Sequence, residues 1–269
     1  MPSIRLNSGS DLFYEDDWLG VPWVKPEPAL LIHGAGESSR AWFGWVPRMA
    51  QQFRLLRPDL PGFGRSTVPN DFEWSVANLA AMVAQFLDQL GIESAHIVGA
   101  KLGGAIAMQL AATYPEHTRT LVVCGAPVSP PKLVEASAAR SGNWWEETQR
   151  QRLGSAASKE AVEYWNTLMA AASPQAQRGV LKAASALNLA PALQRIVAPT
   201  LVITTDRSAL QPVESVLDYQ RKIPHSRLLV LQSDAYHVAV AKADECVTNV
   251  LAFIDEVARP IALNRPKTP

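Results

Sequence analysis

Short apolar runs, separated by stretches with helical spacing, constrain this chain most. Residues 29–32, 54–56, 95–98, 121–124, 201–204 and 228–231 are mostly apolar, with little of the alternation that a strand with one wet face would show. Such strands need cover on both sides. The stretches 40–51, 77–90, 104–114 and 244–257 carry apolar residues at helical intervals, and the second stops at Gly91. Strand and helix in alternation predict an α/β fold with a mostly parallel central sheet covered by helices on both faces. Residues 4–6 and 12–14 predict an opening hairpin.

The alternation breaks between Pro130 and Pro199. No strand signal lies there. Helical patterns cover 133–140, 144–153, 160–171 and 175–187. A helical insertion between two strands of such a sheet is most simply a lid over the strands' C-terminal ends. The expected organisation is therefore a first core part over 1–129, a lid over 130–198, a second core part over 199–259 and a tail over 260–269.

Composition narrows the partners. Lys plus Arg equals Asp plus Glu at 25 each, and no basic cluster stands out, which argues against nucleic acid. The 48% of hydrophobic residues suffices for a large core. Residues 1–20 are acidic and mixed, predicting no signal peptide, and no run approaches the roughly 20 apolar residues of a membrane span. A cytoplasmic protein with no membrane partner is expected, its oligomeric state open, a homodimer included. Cys124 and Cys246 read as small buried hydrophobes. No metal-ligand spacing and no dinucleotide fingerprint appear, so no metal and no cofactor are expected.

Four motifs fall in order at strand ends. They are His33-Gly34-Ala35-Gly36, then Asp59-Leu60-Pro61-Gly62-Phe63-Gly64-Arg65-Ser66, then Gly99-Ala100-Lys101-Leu102-Gly103-Gly104, and lastly His237. Together they resemble the α/β-hydrolase superfamily, especially its small-lidded esterase, lactonase and carbon–carbon hydrolase members. The resemblance runs over roughly 4–254 and is weakest in the insertion. It implies that Lys101 stands where a G-x-S-x-G elbow carries its nucleophile, that His237 is the general base, and that the N–H groups of Leu102 and Ala35 form an oxyanion hole.

Lysine changes the chemistry available at an elbow. An acyl group moved to an amine gives an amide, so an ester-type acyl-enzyme cycle would stall. A helix N-terminus and a dry pocket both disfavour the ammonium. A neutral Lys101 attacks a ketone or aldehyde to form a Schiff base, whereas a charged one holds a carboxylate or an enolate. The triad acid departs as well: the resemblance puts Ser208 where an Asp is expected, with Asp206 two residues earlier. Asp206 either orients His237 or caps a turn.

The remaining candidates each have two readings. Glu37 is either an exposed loop carboxylate or a pocket acid, base or counter-ion to Lys101; with Gly34 it is a candidate substrate contact. Trp144, Trp145 and Trp165 either wall a substrate or pack the insertion on the core. Asp59, Arg65 and Ser66 read mostly as loop-holding residues. His33 reads as loop-shaping, and His96, His117 and His225 as structural. The expected function is an enzyme acting on a small carbonyl compound, an ester, lactone or keto acid, through an atypical Lys101–His237 centre. It would work by water-mediated hydrolysis or by Schiff-base carbon–carbon cleavage or decarboxylation. The alternative is a pseudohydrolase that binds a small molecule without catalysis.

Overall fold

A computed structural model describes residues 2–131 and 144–258. Eight strands form one sheet in the order β1-β2-β4-β3-β5-β6-β7-β8. They are β1 (Ser3–Arg5), β2 (Asp11–Asp17), β3 (Glu27–Ile32), β4 (Phe53–Pro58), β5 (Ala95–Ala100), β6 (Thr118–Cys124), β7 (Thr200–Thr205) and β8 (Ser226–Leu231). The opening hairpin pairs Ile4 with Leu12, and β2 joins β4 antiparallel. Every pairing from β3 to β8 is parallel. The parallel strands β5, β6 and β7 are buried on both faces or nearly so, as their apolar runs require.

Helices cover both faces. In chain order they are α1 (Val46–Met49), α2 (Val76–Gln89), α3 (Leu102–Thr113), α4 (Trp144–Leu153), α5 (Lys159–Ala170), α6 (Pro174–Ser185), α7 (Ala190–Leu193), α8 (Val213–Gln220), α9 (Val238–Ala241) and α10 (Ala243–Ala258). One core layer packs α2 and α3 on the sheet, with Phe86, Leu87, Ile106 and Leu110 fully buried. The other packs Trp42, Trp45 and Met49 against Val247, Val250 and Ile254 of α10. Ser75, Ser158 and Ser173 cap their helices by accepting the N–H three residues on, which satisfies donors the helix leaves free. Cys124 and Cys246 are both buried and free.

Two expectations change. Residues 40–51 form a 3-10 turn (Ser39–Trp42) and the single turn of α1 rather than one helix. Gly44 and Pro47 account for this, since proline lacks an N–H and its ring clashes with the carbonyl four residues back. The helix α8 is not expected from the sequence, because its eight residues are too few to show a clear helical period. The expected helix over 133–140 lies outside the described residues, as does the whole tail over 260–269. Between β6 and β7 the described residues hold helices α4 to α7 and no strand. This insertion follows the C-terminal end of β6, on the side of the sheet where the β3, β5 and β8 loops also emerge.

Candidate active site

Lys101 occupies the turn between β5 and α3, with φ 53° and ψ −121°. It is the one non-glycine residue of positive φ among the described residues. A side chain held there costs roughly 1–3 kcal/mol, so the surroundings must over-determine it. They do. The Lys101 N–H donates to Cys124 O at 2.9 Å, and the Lys101 carbonyl accepts from Gly104 N at 3.0 Å to start α3. A Cβ on Gly103 would overlap the Ile32 carbonyl, so only glycine lets α3 lie this close to β3.

The Lys101 side chain is buried and forms an ion pair with Glu37 Oε1. His237 Nε2 lies 2.9 Å from that same oxygen. The other ring nitrogen of His237, Nδ1, has no hydrogen-bond partner among the described residues. The other Glu37 oxygen, Oε2, accepts from Gly34 N at 3.0 Å. Glu37 is 2% exposed. Its reading as an exposed loop carboxylate is therefore corrected: the side chain turns back on its own loop and inward. Gly34 makes room for the lysine, because a Cβ there would come within 2.6 Å of Lys101 Cε.

Burial and charge set the protonation states. Burial pushes the Glu37 carboxyl up, but His237 and Lys101 outweigh it and hold it well below the usual carboxylate range. Burial pushes Lys101 down, partly opposed by Glu37. Lys101 also caps the N-terminus of α3, where a cation is disfavoured. Burial likewise lowers His237, favouring a neutral imidazole. These directions agree on a resting carboxylate at Glu37 beside a lysine under pressure to lose its proton.

A further charged side chain joins from the insertion. Arg152 of α4 is buried, and burial pulls its guanidinium down to about 10 while the facing Glu37 and Tyr236 oppose the shift. Its Nη1 lies 3.1 Å from Met169 Sδ, and its carbonyl accepts from His237 N at 2.7 Å. Sequence reasoning missed it. The signal was faint: Gln149, Arg152 and Leu153 share one helical face, but α4 is polar on most sides, so no apolar stripe marked that face as buried.

Other candidates fall into place or away. Trp165 is 2% exposed, its ring 5.2 Å from that of His237. It also walls a cavity of about 640 Å³ with Leu153, Tyr164, Val240 and Lys242. Trp144 and Trp145 open α4, and their side chains lie outside the described residues. Asp206 does not orient His237. Its Oδ1 accepts from Ser233 N at 2.8 Å, and its Oδ2 lies 3.4 Å from Arg207 Nη1. The turn-holding alternative is the one its contacts fit. Ser208 Oγ accepts from Gln211 N at 3.3 Å and makes no hydrogen bond to His237. No acceptor engages the N–H of Ala35 or Leu102 among the described residues. His33 shapes its loop, with Nε2 accepting from Leu60 N at 2.8 Å and Nδ1 donating to Gly34 O at 2.7 Å. Asp59 and Ser66 also tie loops: Asp59 accepts from Ser39 N and Arg65 N, and Ser66 Oγ donates to Asp59 O. No group of three or more metal-ligating side chains occurs among the described residues.

This frame, with a strained residue after β5 and a histidine after β8, matches a known family. Residues 28–172 match the family model described as alpha/beta hydrolase fold. The chain belongs to the α/β-hydrolase fold family. Pimeloyl-[acyl-carrier protein] methyl ester esterase of Aeromonas hydrophila is 27% identical over 244 residues, 84% of this chain and 94% of that protein. A 2-hydroxymuconate semialdehyde hydrolase of Pseudomonas sp. is 38% identical over 102 residues, which span 37% of this chain and 36% of that protein. Among solved structures, the enol-lactonase of Burkholderia xenovorans superposes with a TM-score of 0.85 at 20% identity, over 94% of this chain and all of that one. At that identity the likeness concerns the fold. No described helix is long and apolar enough to cross a membrane.

Proposed function

We propose that this α/β-hydrolase fold protein is an enzyme acting on a small carbonyl compound, an ester, lactone or keto acid, at a Lys101–His237 centre. The observation that carries the reading is the shared Glu37 oxygen. Lys101 and His237 come from different loops, yet both meet one buried carboxylate oxygen. A purely structural lysine would need only a counter-ion, whereas here the counter-ion also faces an imidazole whose Nδ1 has no hydrogen-bond partner among the described residues.

On this reading Lys101 stands in the elbow position that the fold usually gives to its nucleophile. The N–H groups of Ala35 and Leu102 receive the carbonyl oxygen. His237 serves as base toward water or substrate. Lys101 holds developing negative charge or attacks the carbonyl. Segment 130–198 acts as a lid, and Trp165 divides the cavity beside it from the centre. The esterase and semialdehyde-hydrolase relatives favour ester or carbon–carbon bonds as targets, and a small molecule as the partner.

The test is a panel of methyl esters, lactones and β-keto acids assayed with wild type, Lys101→Ala and Lys101→Ser. Turnover of at least one compound by wild type, lost in Lys101→Ala, supports the enzyme. Equal rates in wild type and Lys101→Ala remove Lys101 from the chemistry. Burial favours a second reading: Lys101 is 7% and His237 2% exposed, as in a pocket that only binds. On that reading no panel member turns over, while ligands still raise the melting temperature.

A further inference from the structure

The carboxylates of this molecule differ in how they divide their oxygens. Asp59 gives Oδ1 to Ser39 N and Oδ2 to Arg65 N. Glu27 gives Oε1 to Arg119 and Oε2 to His96. Glu37 instead spends Oε2 on the backbone, at Gly34 N, and offers Oε1 to both Lys101 Nζ and His237 Nε2. The backbone contact fixes the carboxylate's rotation. A proton passing between the two side-chain nitrogens crosses a single oxygen.

We infer that Glu37 is the catalytic proton carrier that converts the Lys101 ammonium into an amine nucleophile, so that the site takes ketones or aldehydes, β-keto acids among them, rather than esters. The inference rests on the enzyme reading above and narrows its substrate class. Lys101 gives a proton to Glu37 Oε1. The freed amine forms a bond to the carbonyl carbon, and the C=O π pair moves to oxygen. Glu37 returns the proton to that oxygen, takes a second from nitrogen and delivers it to the hydroxyl, which leaves as water. The balance is ammonium plus ketone giving iminium plus water, with the carboxylate regenerated. In a β-keto acid the carbon–carboxylate bond then breaks, CO2 leaves and its electron pair fills the iminium to give an enamine. A proton taken up from solvent and passed on by Glu37 or His237 is added at carbon, and addition of water to the resulting iminium frees the ketone and restores the Lys101 ammonium. The pressure that burial puts on the ammonium assists the first step.

The competing bland role is charge neutralisation alone, in which any arrangement that keeps Lys101 folded works equally well. The two are separated by reductive trapping. The full chain is incubated with acetoacetate, and separately with benzaldehyde, in the presence of cyanoborohydride, and the modified lysine is mapped by mass. The expected result is an adduct on Lys101 ahead of exposed Lys159. In Glu37→Gln its formation slows at least about 100-fold, the range in which a positioned acid–base acts. Glu37→Asp keeps the carboxylate but withdraws it by a methylene, and falls between. Circular dichroism checks that each variant is folded; if Glu37→Gln is not, the Asp variant carries the comparison. Absence of a Lys101 adduct in wild type, or an undiminished rate in the folded variants, overturns the inference. Lys101-dependent ester or lactone turnover without any adduct sinks the proton-carrier role and leaves the enzyme reading standing. Loss of all turnover sinks both.

Discussion

Strand β5 carries an ionic cluster at each end, one half-exposed and one buried, and the two are built differently. At its N-terminal end His96 gives Nδ1 to Thr120 Oγ1 at 2.9 Å and Nε2 to Glu27 at 3.1 Å, while Arg119 closes on Glu27 at 2.5 Å. Every nitrogen of that histidine is engaged, and Glu27 is about half exposed. At the C-terminal end Lys101, Glu37 and His237 repeat the mix of cation, carboxylate and imidazole, but with almost no solvent exposure, a positive φ and an imidazole Nδ1 without a hydrogen-bond partner among the described residues. One arrangement is satisfied and partly solvated. The other keeps charge, strain and an unspent nitrogen in a dry place, which is the pattern that stability alone does not favour and chemistry uses.

The largest expected contrast is in stability. Removing one partner from a buried pair leaves an uncompensated charge, so Glu37→Gln and Lys101→Met should each cost about 3–5 kcal/mol in chemical denaturation. The double variant should cost less than the sum by about 2 kcal/mol or more. At the solvated end Glu27→Gln should cost about 1 kcal/mol or less. Similar costs at both ends would erase the distinction drawn here. A consequence is that Lys101→Ser alone strands Glu37, so an elbow serine is best tested together with Glu37→Gln.

Space is the next lever. Gly34→Ala puts a methyl into Lys101 Cε and should cost about 1–3 kcal/mol, with most of it recovered in a Lys101→Ala background. An equal cost in both backgrounds would place the strain elsewhere.

Much of this was legible in the sequence, and the part that was not has a physical reason. The parallel sheet followed from apolar runs that do not alternate, and the elbow from Gly99 and Gly103 framing Lys101. The inward turn of Glu37 was not visible, because a residue just past two glycines gives no periodicity to read. The one usable clue in the sequence is the need of a buried lysine for a counter-ion, which puts Glu37 forward as one of two readings. From the sequence Asp206 stays open between two roles, because proximity in sequence to the expected acid position says nothing about which backbone N–H its carboxylate meets; its contact to Ser233 N fits the turn-holding one. Arg152 stayed hidden because its helix is polar on its buried face as well.

Acid should expose the same contrast more gently. Glu37 is held below its ordinary value of 4.5, so its stabilising contribution is complete above that pH and is lost as pH falls toward the depressed folded value. The unfolding free energy of wild type should fall across that window more steeply than that of folded Glu37→Asp or Glu37→Gln. Parallel profiles would mean the carboxylate is not held by its neighbours. Smallest of all, Asp206→Asn should change activity less than about threefold and stability by about 0.5–1 kcal/mol, since it loses the charge on a loop contact to Ser233 and on a solvent-exposed pair with Arg207. A collapse of activity would restore Asp206 as the partner of His237.

The central claim is that Lys101 and His237 work as one unit through Glu37. The most direct test compares kcat/KM of Lys101→Ala, His237→Ala and the double variant on whichever panel compound wild type turns over. Residues acting as a unit are strongly non-additive. The account predicts that each single variant loses at least about 100-fold, and that the double is no worse than the poorer single. Losses that multiply in the double variant, or a Lys101→Ala variant that retains the wild-type value, would contradict it.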